Sequence, residues 1–392
     1  MPALTKAQQK QVQAAEDSFN KTYAVQYGDE RWQNSLRPAL LAPTRYAVLL
    51  NHYEADTLPS TFTENDTRDL QLIEFPSSSG AMASESEAGP SEPQRLISYQ
   101  RIFTAETAQS STSEAPFPAP QAASATTALL MTHWNLDAAS LLAVSILDPK
   151  PGDKVLDLCA APGGKSLALA QLLRPLDYDP AAPSLSGGCL HSNEIDNARN
   201  KRLASNLQSY LPAPLIKNGE VKVLKLDGTE QNAAQTLPLG LGGYDKVLLD
   251  APCSSERHVL HAHSKARQGG RVADEMASWR SGQSKKTAKI QAAILMTALR
   301  AVKVGGRVLY ATCSLSNEEN DAVIEKGQEL VAKEKKKYGI RWDVAVRSGG
   351  LAEKGVERWA ESTKYGWIVL PDHPSAGRWG PLFFAVLEKV AA

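Results

Sequence analysis

The chain is short of charge imbalance, cysteine and long apolar runs, and each shortage excludes something. Across 392 residues, 43 Lys and Arg balance 43 Asp and Glu. That excludes a uniformly basic nucleic-acid coat but not a local basic patch. No apolar run approaches the ~18 residues of a membrane-spanning helix, so no membrane partner is expected. Cysteine occurs only at positions 159, 189, 253 and 313, too few and too dispersed for a disulfide framework. No C-x-x-C pair is present, which argues against a structural zinc site, and no metal is expected. Met1 to Asn20 lacks the apolar centre of a secretory signal. With Lys6, Lys10, Glu16 and Asp17 but no Arg, it also matches an Arg-rich, acid-poor transit peptide poorly. An intracellular enzyme or binding protein with reduced thiols is the class that remains.

What is present fits two to three domains at about 150 residues each, with 42% apolar residues. Residues 1–134 read as an N-terminal region in which helical patterning carries Phe19, Tyr23, Tyr27, Trp32, Tyr46 and Tyr53. Within it, Ser77–Glu92 holds six Ser, three Glu, two Gly and a Pro, and almost nothing to bury, so it predicts a disordered spacer. Residues 104–127, rich in Ser, Thr, Ala and Pro, predict a second irregular excursion. Residues 135–392 read as the catalytic domain.

In that domain Asp137 is placed to cap a helix over 138–147. Strands are predicted at 154–158 (KVLDL), 189–193, 221–226, 244–250 (YDKVLLD, buried on both faces), 306–312 (GRVLYAT) and 382–389 (LFFAVLEK). Helices are predicted at 165–173, 197–207 and 287–301. The last has Ile290, Ile294 and Ala298 in one row and Leu295 and Leu299 in the next. Ser316 and Glu319 form an S-x-x-E capping box for a helix to Lys333. A Gly- and Pro-containing insertion spans about 174–188. Alternating strands and helices predict an α/β fold with a doubly wound, mostly parallel sheet, and ligands of such sheets sit at the carboxyl ends of the strands.

After the first strand, Cys159-Ala160-Ala161-Pro162-Gly163-Gly164-Lys165 offers small residues, a helix N-terminus and a cation, which suit a carboxylate or a phosphate. It is neither G-x-G-x-x-G nor a Walker loop, and a plain tight turn is the alternative. After the second strand, Glu194 is placed to accept hydrogen bonds from ribose hydroxyls, or is a surface carboxylate. After the third, Asp227-Gly228 is placed to meet an adenine edge, or is a solvated turn. Together they describe a nucleoside cofactor with a charged tail. S-adenosyl-L-methionine fits, and NAD is the rival that the glycine pattern disfavours. Asp250-Ala-Pro-Cys253 follows the fourth strand and Cys313 the fifth. For either cysteine alone a buried inert thiol is the default. Two at the carboxyl edge of adjacent strands point instead to thiol chemistry, with both sulfurs converging on the methyl donor. Cys159 reads as a loop component and Cys189 as core.

DLCAAPGGKS (157–166), LLDAPCSS (248–255) and YATCSLSNEEN (310–320) resemble, in order, the motifs of the Sun-domain RNA (cytosine-5) methyltransferases. The resemblance covers about Asp137 to the C-terminus. FNKTYAVQYGDERW (19–32), LDAASLLAV (136–144), SERHVLH (255–261) and GRWGPLFF (377–384) are similar to a mitochondrial branch that methylates small-subunit ribosomal RNA. The resemblance implies a class I methyltransferase fold and S-adenosyl-L-methionine held by Cys159 to Lys165. Glu194 then matches the ribose position, where many relatives have Asp, and Arg199 a basic position in the next helix. Asp227 and Gly228 match the adenine side, and Asp250 stands beside the target base. Cys313 matches the nucleophile that adds to carbon 6 of cytosine, and Cys253 the cysteine that assists product release. RNA is the implied partner, with a helper protein for RNA recruitment and a mitochondrial location implied by the branch. A transfer-RNA enzyme of the same fold and a non-catalytic ribosome-assembly factor are the alternatives, the latter disfavoured by the retention of both cysteines. A long loop at about 263–284 and the insertions depart from compact relatives.

Ser264 to Lys289 carries Lys265, Arg267, Arg271, Arg280, Lys285, Lys286 and Lys289 against Asp274 and Glu275. In a neutral chain this predicts phosphate contacts, with a solvated charged loop as the alternative.

Overall fold

The computed structural model describes residues 6–54, 62, 63, 67, 69–76, 96–101, 117–122, 130–173, 187–375 and 377–392. The predicted spacer at 77–92, most of 104–127 and most of 174–188 lie outside the described residues.

Helix α1 (Lys6–Tyr27) opens the described chain, and a helical stretch passes through a π-helical segment, Trp32–Leu36, to Leu41. Strands β1 (Ala47–Leu50), β2 (Leu70–Leu72), β3 (Ser98–Arg101) and β4 (His133–Leu136) form an antiparallel sheet in the order β2-β3-β1-β4. Along β1 the faces alternate, as a pleated strand requires. Ala47 and Leu49 join the large core, while Val48 and Leu50 pack with Phe62 and Phe117 in a small one. Phe117 thereby brings 117–122 back onto the sheet, where Pro118 O accepts from Asn135 Nδ2 at 3.0 Å.

The chain continues through α2 (Ala138–Leu147), β5 (Lys154–Asp157), α3 (Gly164–Leu173), β6 (Cys189–Asn193), α4 (Asn197–Tyr210), β7 (Val221–Leu224) and β8 (Tyr244–Asp250). It goes on through α5 (Glu256–Gln268), α6 (Gln283–Ala301), β9 (Val302–Thr312), α7 (Asp321–Tyr338), β10 (Trp342–Val346), β11 (Glu361–Ser362), β12 (Trp367–Val369) and β13 (Leu382–Ala391). Asp137 caps α2, its carboxylate accepting from Ala139 N at 2.9 Å. The nine-stranded sheet runs β11-β12-β13-β9-β8-β5-β6-β7, with β10 beside β13. Strands β9, β8, β5, β6 and β7 are parallel, and β10 to β13 make the antiparallel flank. The chain leaves β5 in one direction, to β6 and β7, then returns to β8 and β9. The carboxyl ends of β5 and β8 therefore flank the point where the strand order reverses, which is where a crevice opens.

Helices cover both faces because central strands are apolar on both. Leu248, Leu309 and Ala311 pack on one side with Leu141 of α2 and Leu167 of α3. Val247, Leu249, Val308 and Tyr310 pack on the other with Leu295 and Leu299 of α6 and Ile324 of α7. Each such buried large side chain contributes about 1.5–3 kcal/mol. Helix α1 shares the second core through Phe19 and Tyr23, and the π-helical segment after it through Trp32 and Leu36. Phe19 meets Tyr23 edge-on at 4.8 Å and Trp279 at 5.1 Å.

Several expectations are corrected. The S-x-x-E capping box does not form: α7 starts at Asp321, its N-cap is Asn320, and that cap makes no side-chain hydrogen bond. The 263–284 stretch is not a long loop. It is the end of α5, a short helix Asp274–Ser278 and the start of α6, which begins at Gln283 rather than 287. Strands β10, β11 and β12 were not predicted, and β9 starts at Val302, ahead of 306. Ile290 is 48% exposed although Ile294 in its row is buried. Cys189 is half-buried at the start of β6, not core, whereas β8 buries Leu248 on one face and Val247 and Leu249 on the other, as expected.

Candidate active site

The loop after β5 is fixed by its neighbours. Leu158 N donates to Leu248 O at 2.9 Å and Ala160 N to Asn193 O at 2.8 Å, tying the loop to β8 and β6. Gly163 has φ +118, where an L side chain is strained, and a Cβ there would meet Leu203 Cδ1 at 3.2 Å. A Cβ on Gly164 would lie 2.7 Å from Trp134 Nε1. The two glycines thus answer first to α4 and to β4. Beneath the loop, Asp157 is 1% exposed and accepts from Ser166 Oγ at 2.6 Å. Its Oδ1 has no hydrogen-bond partner among the described residues, and burial raises its pKa to about 7. Burial likewise pushes the Cys159 thiol up, far from a reactive thiolate.

Lys165 does not stand free in the loop. Its Nζ lies 2.8 Å from Asp250 Oδ2 at the end of β8. Burial pulls against the ammonium, but the Asp250 charge and hydrogen bond outweigh it and hold the pKa above the usual lysine value.

Asn193 ties three strand ends together: its Nδ2 donates to Leu158 O and Leu226 O, each at 3.0 Å, and its Oδ1 accepts from Leu226 N at 2.8 Å. Beside it Glu194 is 4% exposed, accepts from Asp196 N at 2.9 Å and pairs with Arg199 at 3.3 Å. Arg199 also donates to Ala161 O at 3.0 Å, which links the acidic position to the glycine loop. Asp227 stands apart from this network. Its carboxylate accepts from Thr229 Oγ1 at 2.7 Å and Thr229 N at 2.9 Å, and those bonds lower its pKa. Gly228 is turned to α6, where Thr297 Oγ1 donates to its carbonyl at 2.9 Å.

The two cysteines meet because β8 and β9 are parallel neighbours with Asp250 paired to Ala311. Cys253 Sγ is 3.0 Å from Cys313 Sγ, Ser255 Oγ is 2.9 Å from Cys313 Sγ, and both cysteines are half-buried. Their proton affinities separate. The hydrogen bond from Cys253 lowers the pKa of Cys313 against the opposing effect of burial, and the Ser255 hydroxyl lowers it further. The same bond, reinforced by burial, raises Cys253 well above a normal thiol.

Behind the thiols lies a carboxylate scaffold that sequence reasoning missed. Glu256, fully buried, accepts from Leu315 N at 2.8 Å, Ser314 Oγ at 3.2 Å, Tyr23 OH at 2.7 Å and Ser254 Oγ. Glu319, also fully buried, accepts from Ser254 N and Gln291 Nε2, each at 3.0 Å. Burial and the neighbouring Glu256 raise the pKa of Glu319. The available signal was the acidic residue inside each motif, Glu256 in SERHVLH and Glu319 in YATCSLSNEEN.

The donor set fits S-adenosyl-L-methionine: a helix N-terminus for a carboxylate, a buried acid at the next strand end for ribose hydroxyls, and a half-open thiol pair beside Asp250. Among the described residues no group of three or more His, Cys, Asp and Glu could hold a metal ion, and no helix is long and apolar enough to cross a membrane.

A family model described as 16S rRNA methyltransferase RsmB/F matches residues 144–341. The chain belongs to this family. It is an S-adenosylmethionine-dependent RNA (cytosine-5) methyltransferase. The mouse 5-cytosine rRNA methyltransferase NSUN4 is 30% identical over 393 residues, covering 99% of this chain and 92% of the relative. The mouse mitochondrial tRNA (cytosine(34)-C(5))-methyltransferase is also 30% identical, over 95% of this chain and 89% of the relative. The crystal structure of NSun6 from Pyrococcus horikoshii with SFG shares the fold at a TM-score of 0.59 and 17% identity, over 96% of this chain and 98% of that one.

Proposed function

We propose that this RsmB/F-family enzyme methylates carbon 5 of a cytosine in small-subunit ribosomal RNA, with Cys313 as covalent nucleophile and Cys253 resolving the adduct. The observation that carries the chemistry is the 3.0 Å contact between two thiols at the carboxyl ends of adjacent strands, with Ser255 Oγ 2.9 Å from Cys313 Sγ. The description of the matching family model as a 16S rRNA methyltransferase favours a ribosomal substrate.

Carbon 5 of cytosine is a poor nucleophile. Addition of the Cys313 thiolate at carbon 6 makes the ring enamine-like, so carbon 5 gains electron density. The cofactor, which Cys159 to Lys165, Glu194, Arg199, Asp227 and Gly228 would hold, would supply an electrophilic methyl group. Asp250, steadied by Lys165, is placed to hydrogen-bond the ring edge and stabilise developing charge. Once Cys313 sulfur is bound to carbon, the thiolate that held the proton on Cys253 is gone. Cys253 can then ionise, its proton leaving to solvent through the half-open site, and remove the proton from carbon 5. The electrons of that C–H bond re-form the ring double bond, and the Cys313 thiolate leaves. The base must be splayed from its stack to enter.

Residues 135–392 hold every group used in this chemistry, which supports reading them as the catalytic domain and 1–134 as an accessory region. Lys265, Arg267, Arg271, Arg280, Lys285, Lys286 and Lys289 are all exposed or half-exposed along α5 to α6, which supports an RNA-binding face there. The balanced net charge supports a helper protein that adds RNA affinity. A mitochondrial location is supported by the relative whose name carries that compartment. Transfer of labelled methyl to separate pools of small-subunit ribosomal RNA and transfer RNA tests the substrate. Label in ribosomal RNA is expected, label confined to transfer RNA would transfer the assignment to that class, and no label in either with intact cofactor binding would favour an assembly factor.

A further inference from the structure

The N-terminal helix reaches both cysteine loops through hydrogen bonds to Glu256 and Leu315. Leu315 lies two positions after Cys313. Its N–H donates to Glu256 Oε2 at 2.8 Å, and Tyr23 OH donates to Glu256 Oε1 at 2.7 Å. Its carbonyl accepts from Tyr27 OH at 2.8 Å. Both backbone groups of Leu315 are therefore fixed by α1, one directly and one through Glu256. The same carboxylate accepts from Ser314, next to Cys313, and from Ser254, next to Cys253. Ser255, adjoining Glu256, is held at φ +52 with its hydroxyl 2.9 Å from Cys313 Sγ. A non-glycine residue in that region costs on the order of 1–3 kcal/mol and persists only where its surroundings hold it.

We propose that α1 positions the nucleophile: Tyr23 through Glu256, and Tyr27 directly on Leu315, set Cys313 against Cys253 and Ser255. The inference deepens the reading of Cys313 as nucleophile and rests on it. Tyr23 is 1% exposed, and burial followed by the Glu256 charge holds its phenol protonated, so it acts as a permanent donor. The groups acting on the Cys313 thiolate are Cys253 and Ser255, which favour it, Asp250 and Glu256, which repel it, and Lys165, which attracts it. Around Tyr23 stand Glu256, Glu319 and Tyr27. Removing the phenol leaves the Glu256 charge less compensated and loosens the clamp. Both effects raise the proton affinity of Cys313.

The test uses the full chain as Tyr23→Phe and, separately, Tyr27→Phe. Iodoacetamide alkylation of Cys313 is followed by mass spectrometry across the pH range, alongside methyl-transfer kinetics. The expected result is an acid limb of alkylation displaced to higher pH. At neutral pH kcat falls by up to about tenfold per pKa unit and recovers in alkali, while KM for cofactor and RNA is unchanged. Limbs that superimpose on wild type in whichever variant folds would overturn the proposal, as would a fall in kcat that alkali does not restore. The two readings fail differently. Methyl transfer retained by Cys313→Ala would remove the nucleophile assignment without touching the alkylation limb, whereas an unmoved limb would remove the role of α1 and leave the nucleophile in place.

Discussion

Lys165 Nζ and Asp250 Oδ2 are 2.8 Å apart, so the cation of the glycine loop is bound to the carboxylate that ends the neighbouring strand. The pair joins the cofactor side of the site to the base side. Lys165→Met or Asp250→Asn alone leaves one partly buried charge without its partner, and each is expected to destabilise the fold by roughly 1–3 kcal/mol. The double substitution should cost less than the sum, because the stranded charge is gone. Urea denaturation of the three variants measures this, and strict additivity would show that the two groups do not interact.

Gly164→Ala should be poorly tolerated, because the added Cβ would sit 2.7 Å from Trp134 Nε1. Overpacking of this kind costs about 1–3 kcal/mol. Trp134→Leu in the same chain should restore part of the loss by opening the space. Thermal melts of the single and double variants check it, and a Gly164→Ala protein as stable as wild type would contradict the packing account.

Asp157 links stability to pH. Its folded pKa is raised by burial from 3.8 to about 7, so in that interval the folded chain binds more protons than the unfolded one. Its contribution is fully present below the unfolded pKa and is lost as pH rises through the folded value. Asp157→Asn keeps the Ser166 bond and removes the titration. The stability of wild type relative to this variant should therefore fall between about pH 4 and pH 7. Parallel stability curves for the two proteins would refute the assignment.

Lys285, Lys286 and Lys289 lie on the first turns of α6, all three open to solvent. Changing all three to Gln should lower the slope of log affinity for RNA against log salt by about 0.7 for each phosphate no longer neutralised. An unchanged slope would place RNA elsewhere.

Much of this was legible in the sequence where the signal is local. Asp137 sits directly before an apolar run and caps it, and KVLD, YDKVLLD and the LFFAVLEK stretch carry enough β-formers to declare strands. What was not legible depends on distant partners. Glu319 has the spacing of a helix cap after Ser316, yet it serves Ser254, 65 residues away, and no local pattern encodes that. Asp227 was legible by its place in the strand order, whereas the bonds its carboxylate accepts from Thr229 show only in the fold. Strands β11 and β12 are only two and three residues long, too short to declare themselves, and form by pairing in series, β11 on β12 and β12 on β13. Glu256 was hidden for the same reason: its donors come from Tyr23, Ser254, Ser314 and Leu315, which only the fold brings together.

The central claim is that Cys313 attacks and Cys253 releases. Incubating Cys253→Ala with RNA and S-adenosylmethionine and resolving the product by denaturing electrophoresis tests it most directly. The account predicts a stable protein–RNA adduct that is abolished by adding Cys313→Ala, with cofactor binding intact in both proteins. An adduct formed by Cys313→Ala alone, or turnover that persists without Cys313, would contradict it.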